Sequence, residues 1–158
     1  MSFRLFLSVM LVLSLTAAAQ TAPGAAASPS IFDAVKAGDL DQIRALVAKD
    51  GSLIEAKDAN GSTPLHIAAG TGSTPTVELL LSLGALIDSV NPAGRTPLHE
   101  AIWARKPQAA LALIAKGADV RKSGDGMGRT PMHLAAMGDV DAVVGPLAAK
   151  GADLEKTD

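Results

Sequence analysis

The sequence predicts an all-α solenoid of about four helix–turn–helix repeats with projecting hairpins. The first observation is a tetrapeptide, Thr-Pro-Leu-His or Thr-Pro-Met-His, that recurs at steps of 33 and 34 residues, at 63–66, 96–99 and 130–133. The second observation is a glycine phrase with the same spacing, which begins at Gly51, Gly84, Gly117 and Gly151. From each tetrapeptide histidine to the next such glycine is 18 residues. Two phrases in one phase indicate a small unit stacked several times.

Each unit is predicted to contain two helices and an extended link. The tetrapeptide proline suits the first position of a helix, where a backbone N–H would lack a partner anyway, and the threonine before it can cap that helix. Small residues follow, such as Ala68 and Ala101, and let neighbouring helices approach closely. The second helix carries larger apolar side chains, and a glycine just beyond its end stops it. Turn-rich links at 60–61, 93–94 and 126–128 are predicted to form the hairpins.

The first and last units depart from this pattern. The first lacks the tetrapeptide, and Ser30 with Asp33 predicts a capping box at its start. The last places Gly145 and Pro146 inside its second helix. Proline in a helix interior removes a hydrogen bond and crowds the preceding turn, at about 3 kcal/mol. We expect this helix to be kinked or shifted.

The N-terminal segment has the layout of a secretory signal. Arg4 precedes an apolar run of eleven residues at 5–15, and three alanines at 17–19 offer a cleavage site. We predict a signal peptide at 1–19, cut after Ala19, and a flexible leader at 20–29. An uncleaved anchor is the alternative, although a spanning helix needs about 20 apolar residues. We therefore expect a periplasmic or secreted protein that does not insert into the membrane after signal removal.

Residues 30–158 are predicted to form one repeat domain. Its units are a capping repeat at 30–57 and repeats at 58–90, 91–124 and 125–158. Signal removal takes away one of 14 basic residues and none of 16 acidic residues. The remaining net charge of about −3 argues against general nucleic-acid binding, which needs a strongly basic surface. With no cysteine in the chain, the fold must hold without disulfides, which favours a bacterial periplasmic protein over a eukaryotic secreted one. A capped stack has no need to dimerise, so we expect a monomer.

The sequence does not predict an enzyme, a metal site or a cofactor site. One histidine stands in each complete unit, and packed helices are about 8 to 10 Å apart, whereas metal ligands lie about 2.0 to 2.2 Å from the ion. His66, His99 and His133 should therefore form a row and not converge. The glycines at 124–128 lack the preceding strand, the spacing and the Lys-Ser/Thr ending of a phosphate loop. Cysteine and tyrosine are absent, and no serine has a plausible histidine neighbour.

The tetrapeptide and the glycine phrase, in phase across about residues 31–158, resemble the ankyrin repeat, whose hallmark is Thr-Pro-Leu-His-x-Ala. The resemblance implies a slightly curved stack of four helix pairs, with histidines that tie neighbouring turns together by hydrogen bonds. It also implies that a partner protein docks on the concave side, on hairpin tips and exposed positions of each first helix. In this sequence the predicted protein-binding residues are then Asn60, Ser62, Thr71, Arg95, Trp103, Ala104, Met127, Arg129 and Met137.

Trp103 is predicted to be the centre of the docking surface. It and Phe32 are the only aromatic residues outside the predicted signal, and the family pattern places Trp103 on the exposed face. Tryptophan and arginine are enriched at energetic centres of interfaces, and methionine suits adaptable contact surfaces. The predicted patch is Trp103 with Arg95, Arg129, Met127 and Met137. The alternative is that Trp103 folds over its own helix as packing.

The charge pattern predicts a partner with an acidic surface, since the basic edge of the molecule would attract it. The basic residues on or near the hairpins are Arg95, Lys122 and Arg129. The acidic residues on or before second helices are Asp39, Asp41, Glu78, Asp139 and Asp141. An ordinary solvated face is the alternative explanation.

Together these features lead us to expect a non-enzymatic protein–protein interaction module in the periplasm. The role we consider first is that of an inhibitor or immunity protein against an enzyme that attacks the cell envelope. The alternatives are an accessory protein that supports a periplasmic oxidative-stress enzyme, and a secreted effector that acts on host proteins. Fold alone does not decide between them, because a few exposed side chains set the target.

Overall fold

The computed structural model of the chain describes residues 30–124 and 126–152. The predicted signal peptide at 1–19 and leader at 20–29 lie outside these residues, as do Asp125 and residues 153–158. Within the described ranges the chain forms eight α-helices and one short 3-10 helix, with no strand. The helices follow one another as four helix–turn–helix pairs, which confirms the predicted all-α repeat solenoid.

The first helix of each pair is seven or eight residues long, and the second is nine or ten. The first helices are α1 (Ile31–Ala37), α3 (Pro64–Thr71), α5 (Pro97–Trp103) and α7 (Pro131–Gly138). The second helices are α2 (Leu40–Lys49), α4 (Thr74–Ser82), α6 (Pro107–Ala115) and α8 (Asp141–Ala149). The 3-10 helix, Gly51–Glu55, follows α2.

The helices are arranged in two layers. In one layer α1 packs on α3, α3 on α5 and α5 on α7; in the other α2 packs on α4, α4 on α6 and α6 on α8. Each helix also packs against the other member of its own pair. Every repeat therefore covers the apolar side of its neighbour, and the stack grows in one direction.

The core lies between the layers and is built from equivalent positions of successive repeats. One position of the second helices is a fully buried leucine in three repeats: Leu80, Leu113 and Leu147. One position of the first helices is a fully buried alanine: Ala68, Ala101 and Ala135. Each buried leucine contributes about 1.5 to 3 kcal/mol to stability, and the alanines let the first helices approach closely, as expected.

The helix ends follow the predicted signals. The N–H of Asp33 donates to Ser30 Oγ at 3.2 Å, and the N–H of Ser30 donates to the Asp33 carboxylate at 3.2 Å, which confirms the capping box. Gly84 and Gly117, just beyond α4 and α6, have φ of 95° and 94°, a conformation that glycine adopts without strain. Gly51 differs because it begins the 3-10 helix, whose start is capped by the Asp50 side chain.

Helix α8 contains Pro146 in its interior, yet it is not shifted as one of our alternatives expected. It begins ten residues after Pro131 and ends at Ala149, in the same phase as α4 and α6. Proline removes the hydrogen bond to the carbonyl of Ala142, but Ala142 is exposed. Water can therefore donate to the Ala142 carbonyl in place of the missing N–H. The helix keeps its place in the layer.

Candidate protein-binding surface

His66 joins two repeats through its two ring nitrogens. Its Nδ1 accepts the backbone N–H of Thr63 at 3.2 Å, and its Nε2 lies 3.0 Å from the carbonyl oxygen of Arg95 in the next hairpin. A backbone N–H only donates and a carbonyl only accepts, so the ring carries its proton on Nε2. The Thr63 hydroxyl also lies 2.8 Å from Nδ1, so both nitrogens have partners.

His99 repeats this arrangement one unit later. Its Nδ1 accepts the N–H of Thr96 at 3.3 Å, and its Nε2 lies 3.2 Å from the carbonyl oxygen of Arg129. The expected role of these histidines, which is to tie neighbouring turns together, is confirmed for both. The two rings contact different hairpins and do not converge. In the described part of the chain no group of three or more His, Cys, Asp or Glu side chains is placed to hold a metal.

Burial lowers the pKa of His66 below its ordinary value of 6.5, because the imidazolium form loses hydration inside the stack. The hydrogen bond to Arg95 and the negative charge of Glu100 raise the pKa by smaller amounts. A proton on Nδ1 would also face the donating N–H of Thr63. The neutral ring is therefore the form that links the two repeats.

The hairpins before α3 and α5 are closed by a backbone hydrogen bond, from Asp58 to Ser62 and from Asn91 to Arg95, and by a short polar side chain. Asp58 Oδ1 accepts the N–H groups of Asn60 and Ser62, both at 2.9 Å. Asn91 Oδ1 accepts the N–H of Arg95 at 3.0 Å in the equivalent place. Such Asx turns fix a hairpin locally without a ladder of strands.

The hairpin before α7 has the equivalent backbone hydrogen bond. The N–H of Gly124 donates to the carbonyl of Arg129 at 2.8 Å. Gly124 lies against the His99 ring, and a Cβ at this position would collide with it. Only glycine therefore lets this hairpin close over the histidine that holds it.

Trp103 is the last residue of α5 and is 52% exposed. The guanidinium carbon of Arg95 lies 4.4 Å from the centroid of the Trp103 ring, and that of Arg129 lies 5.6 Å from it. Arg129 also donates to the sulfur of Met137 at 3.7 Å. We call Arg95, Trp103, Arg129 and Met137 the tryptophan cluster. Cation–π contacts at exposed sites contribute about 0.5 to 1 kcal/mol each, which favours one orientation of the indole.

Arg95 is positioned from behind by two side chains of its own repeat. Its NH1 lies 3.9 Å from Glu100 Oε1, and the same oxygen accepts the Nδ2–H of Asn91 at 3.0 Å. His66 holds the Arg95 carbonyl at the same time. Both the backbone and the guanidinium of Arg95 are therefore held beside Trp103.

Two family models match the chain over most of its length. The model described as ankyrin repeats in three copies matches residues 31–124, and the model of a single ankyrin repeat matches residues 127–158. The chain belongs to the ankyrin-repeat family. Ankyrin repeats indicate a protein–protein interaction module, and such domains are typically not enzymes.

Among curated proteins, this ankyrin chain is similar to the E3 ubiquitin-protein ligase KEG of Arabidopsis thaliana. The two are 34% identical over 94 residues, which is 53% of this chain and 6% of that protein. The chain thus corresponds to a small part of that relative. None of the helices in residues 30–124 and 126–152 is long and apolar enough to cross a membrane.

The predicted binding residues fall into two neighbouring parts of the ankyrin stack. The tryptophan cluster is the part whose members contact one another. Asn60, Ser62 and Thr71 instead line a groove of about 580 Å³ beside α3. Ala104 is half-buried and caps α5 next to the cluster. Met127, in the third hairpin, is 76% exposed.

Sequence reasoning missed several residues of this surface. Lys36, Asn91 and Glu100 line the groove, and Glu100 with Asn91 also supports Arg95. Their signal was present as a departure of one repeat from the others. Glu100 stands where α3 has Ile67, and Lys36 stands at the position that Trp103 occupies in α5.

Proposed function

We propose that this ankyrin protein is a non-enzymatic module of the periplasm that binds a partner protein through its hairpins and first helices. The observation that carries the proposal is Trp103, which is held half-exposed between two arginines and has no place in the core. Tryptophan and arginine are the residue types that dominate binding energy when they lie at the centre of an interface.

The cluster is organised before any partner arrives. The carbonyls of Arg95 and Arg129 are each held by a histidine, and the Arg95 guanidinium is held by Glu100. Immobilising a flexible side chain on binding costs about 0.5 to 1.5 kcal/mol. Side chains that are already oriented avoid part of this cost, so the arrangement supports a docking role.

The partner in this proposal presents an acidic surface. Arg95 and Arg129 bring two positive charges to the hairpin face, whereas Asp41, Glu78 and Asp141 are exposed on second helices. Opposite charges on the two partners speed their encounter and select against wrong partners. The binding face would then be attractive to an acidic protein, although the chain as a whole carries a net charge of −2.

The role that we propose is inhibition of an enzyme that attacks the cell envelope, as an inhibitor or immunity protein. An inhibitor of this kind acts by covering its target and needs no reacting groups of its own. The periplasmic location is supported by the signal-like segment at 1–19. Cell fractionation and N-terminal sequencing test it, and a mature chain that begins at Gln20 is expected.

The test of the binding face is capture of partners from periplasmic extract, with identification by mass spectrometry. The wild-type protein is compared with Trp103→Ala and with the control Leu86→Ala, since Leu86 is an exposed apolar residue in the loop after α4. We expect Trp103→Ala to lose the partner while its helical content and melting temperature stay nearly unchanged.

The identity of the captured protein tests the role. A cell-wall hydrolase or a toxin supports inhibition, whereas a catalase or peroxidase would transfer the proposal to the accessory role. Equal capture by wild type and Trp103→Ala would show that the cluster is not the binding site. Unfolding of Trp103→Ala would assign the residue to the core.

A further inference from the structure

A slot of about 250 Å³ lies between α5 and α7 beside the tryptophan cluster. It is lined by Ile102, Trp103, Arg105, Leu134, Met137 and Gly138. Ile102 and Leu134 are buried, whereas Trp103 and Met137 are 52% and 65% exposed, so apolar atoms line the slot from its base to its rim. A closed cavity of roughly 150 Å³ suffices to hold a benzene ring. The slot is therefore large enough for one apolar side chain.

Arg105, in the turn between α5 and α6, has a left-handed backbone with φ of 55°. The equivalent positions of the first two repeats are Gly38 and Gly72, with φ of 69° and 84°. The left-handed region disfavours any residue that has a Cβ, so the turn itself does not call for arginine. The left-handed φ belongs to this turn in all four repeats, since Asp139 has φ of 56° at the same position of the last one. What is particular to the α5 repeat is that an arginine stands there and lines the slot.

The charge of Arg105 is available to a ligand. In the described part of the chain no carboxylate lies within ion-pair distance of its guanidinium. Arg95 and Arg129 place two further guanidinium groups on the Trp103 side of the slot. Glu100, five residues before Arg105, is engaged by Asn91 and Arg95. Asp139 follows Gly138 but does not itself line the slot.

We infer that the slot receives one apolar side chain from an acidic segment of the partner, and that a carboxylate of the same segment pairs with Arg105. This inference rests on the proposed function and adds the chemistry of the bound segment. Guanidinium groups form the strongest hydrogen-bonded pairs with carboxylates. The slot supplies an apolar anchor for a side chain, and the negative net charge of the chain disfavours a nucleic acid. A protein segment is therefore the occupant.

The first test selects binding peptides directly. A random dodecapeptide library is panned on the full chain and counter-selected on Trp103→Ala. Enriched peptides should carry Asp or Glu on both sides of a single Leu, Ile, Met or Phe. Basic peptides, acidic peptides without an apolar residue, or no enrichment over the Trp103→Ala protein would each overturn the inference.

The second test uses the one tryptophan of the chain as an internal reporter. An enriched peptide should shift the Trp103 emission to shorter wavelength as its apolar side chain enters the slot. Arg105→Gly should weaken this peptide by about fivefold or more, the effect of losing a contact worth more than 1 kcal/mol. Because glycine suits a left-handed φ, the same substitution should leave the melting temperature unchanged or raised.

Two controls separate charge in general from this site. Arg44→Ala removes an exposed arginine from α2 and should leave peptide affinity unchanged; an equal loss in both variants would overturn the role of Arg105. A double-stranded oligonucleotide should not displace the peptide, and displacement would overturn the choice of a protein segment. If partner capture depends on Trp103 but acidic apolar peptides do not bind, the proposed function stands and only this inference is lost.

Discussion

The repeats that contain α3 and α5 share one backbone plan but present different surfaces. Many of their buried positions match, as in the pairs Leu65 and Leu98, His66 and His99, and Leu80 and Leu113. Their binding-face positions do not match: Ser62 becomes Arg95, Ile67 becomes Glu100, Gly70 becomes Trp103, and Gly72 becomes Arg105. The matching buried positions build the stack, and these four differing positions lie on the face where we place the partner. The departures of one repeat from its neighbours are therefore where its function should be sought.

The largest expected effect tests the half of this comparison in which the repeats are alike. Leu80→Ala and Leu113→Ala should each lower the free energy of unfolding by about 2 to 5 kcal/mol, because each leaves a cavity between the two layers. Urea denaturation monitored by circular dichroism measures the loss. Costs that differ strongly between the two variants would mean that the repeats are not equivalent in their cores.

The next effect concerns the polar pair that is special to the α5 repeat. Asn91→Asp replaces the amide that donates to Glu100 with a second carboxylate, and it should destabilise the protein by about 1 to 2 kcal/mol. Asn91→Asp combined with Glu100→Ile gives this repeat the same two residue types as the preceding repeat, which has Asp58 and Ile67 at the equivalent positions. The double variant should regain most of the stability, which a double-mutant cycle would quantify. Simple addition of the two single effects would contradict a coupled pair.

Two glycines of the α3 repeat sharpen the comparison further. A Cβ at Gly70 would meet nothing within 4 Å, whereas one at Gly72 would come within 2.8 Å of the Lys106 side chain and would carry a φ of 84°. Gly70→Ala should therefore raise the free energy of unfolding by about 0.5 to 1 kcal/mol, and Gly72→Ala should lower it. Thermal denaturation compares them, and a loss of stability in Gly70→Ala would contradict the open space beside α3.

The smallest expected effect is the pH dependence that His66 confers. Its pKa is lowered in the folded state, so below the unfolded value of 6.5 the unfolded chain binds a proton that the folded chain does not. Its contribution should be fully present above pH 6.5 and should decline as the pH falls from there through the folded pKa. Urea midpoints measured between neutral and mildly acidic pH test this. His66→Gln should flatten the slope in this interval, and an unchanged slope would assign it to other groups.

The fold was predictable from sequence because it repeats. The same signals recur in each repeat. Prolines mark the start of the first helix at Pro64, Pro97 and Pro131, and glycines in phase follow the end of the second helix. Gly51 was less predictable, because Asp50 caps a 3-10 helix there and competes with the usual ending of the repeat. We expected α8 to be kinked or shifted, and the shift is not found; the exposure of Ala142, which leaves its carbonyl open to water, cannot be read from Pro146.

The candidate site was predictable only in part. Exposure of Trp103 and its proximity to Arg95, Arg129 and Met137 followed from equivalent positions in the repeats. The support of Arg95 by Asn91 and Glu100 depends on side-chain geometry that periodicity does not encode. The left-handed φ of Arg105 was in principle visible, because glycine occupies that position in two other repeats.

The tryptophan cluster draws Arg95 and Trp103 from one repeat, and Arg129 and Met137 from the next. It therefore exists only while α5 and α7 remain docked, with His99 and the Arg129 carbonyl as the polar clasp between them. A partner bound to the cluster would contact both repeats and stabilise the packing of α5 against α7. Protection of the α7–α8 repeat against hydrogen exchange should rise on binding. A destabilising substitution in α8, away from the partner, should lower the affinity for the partner.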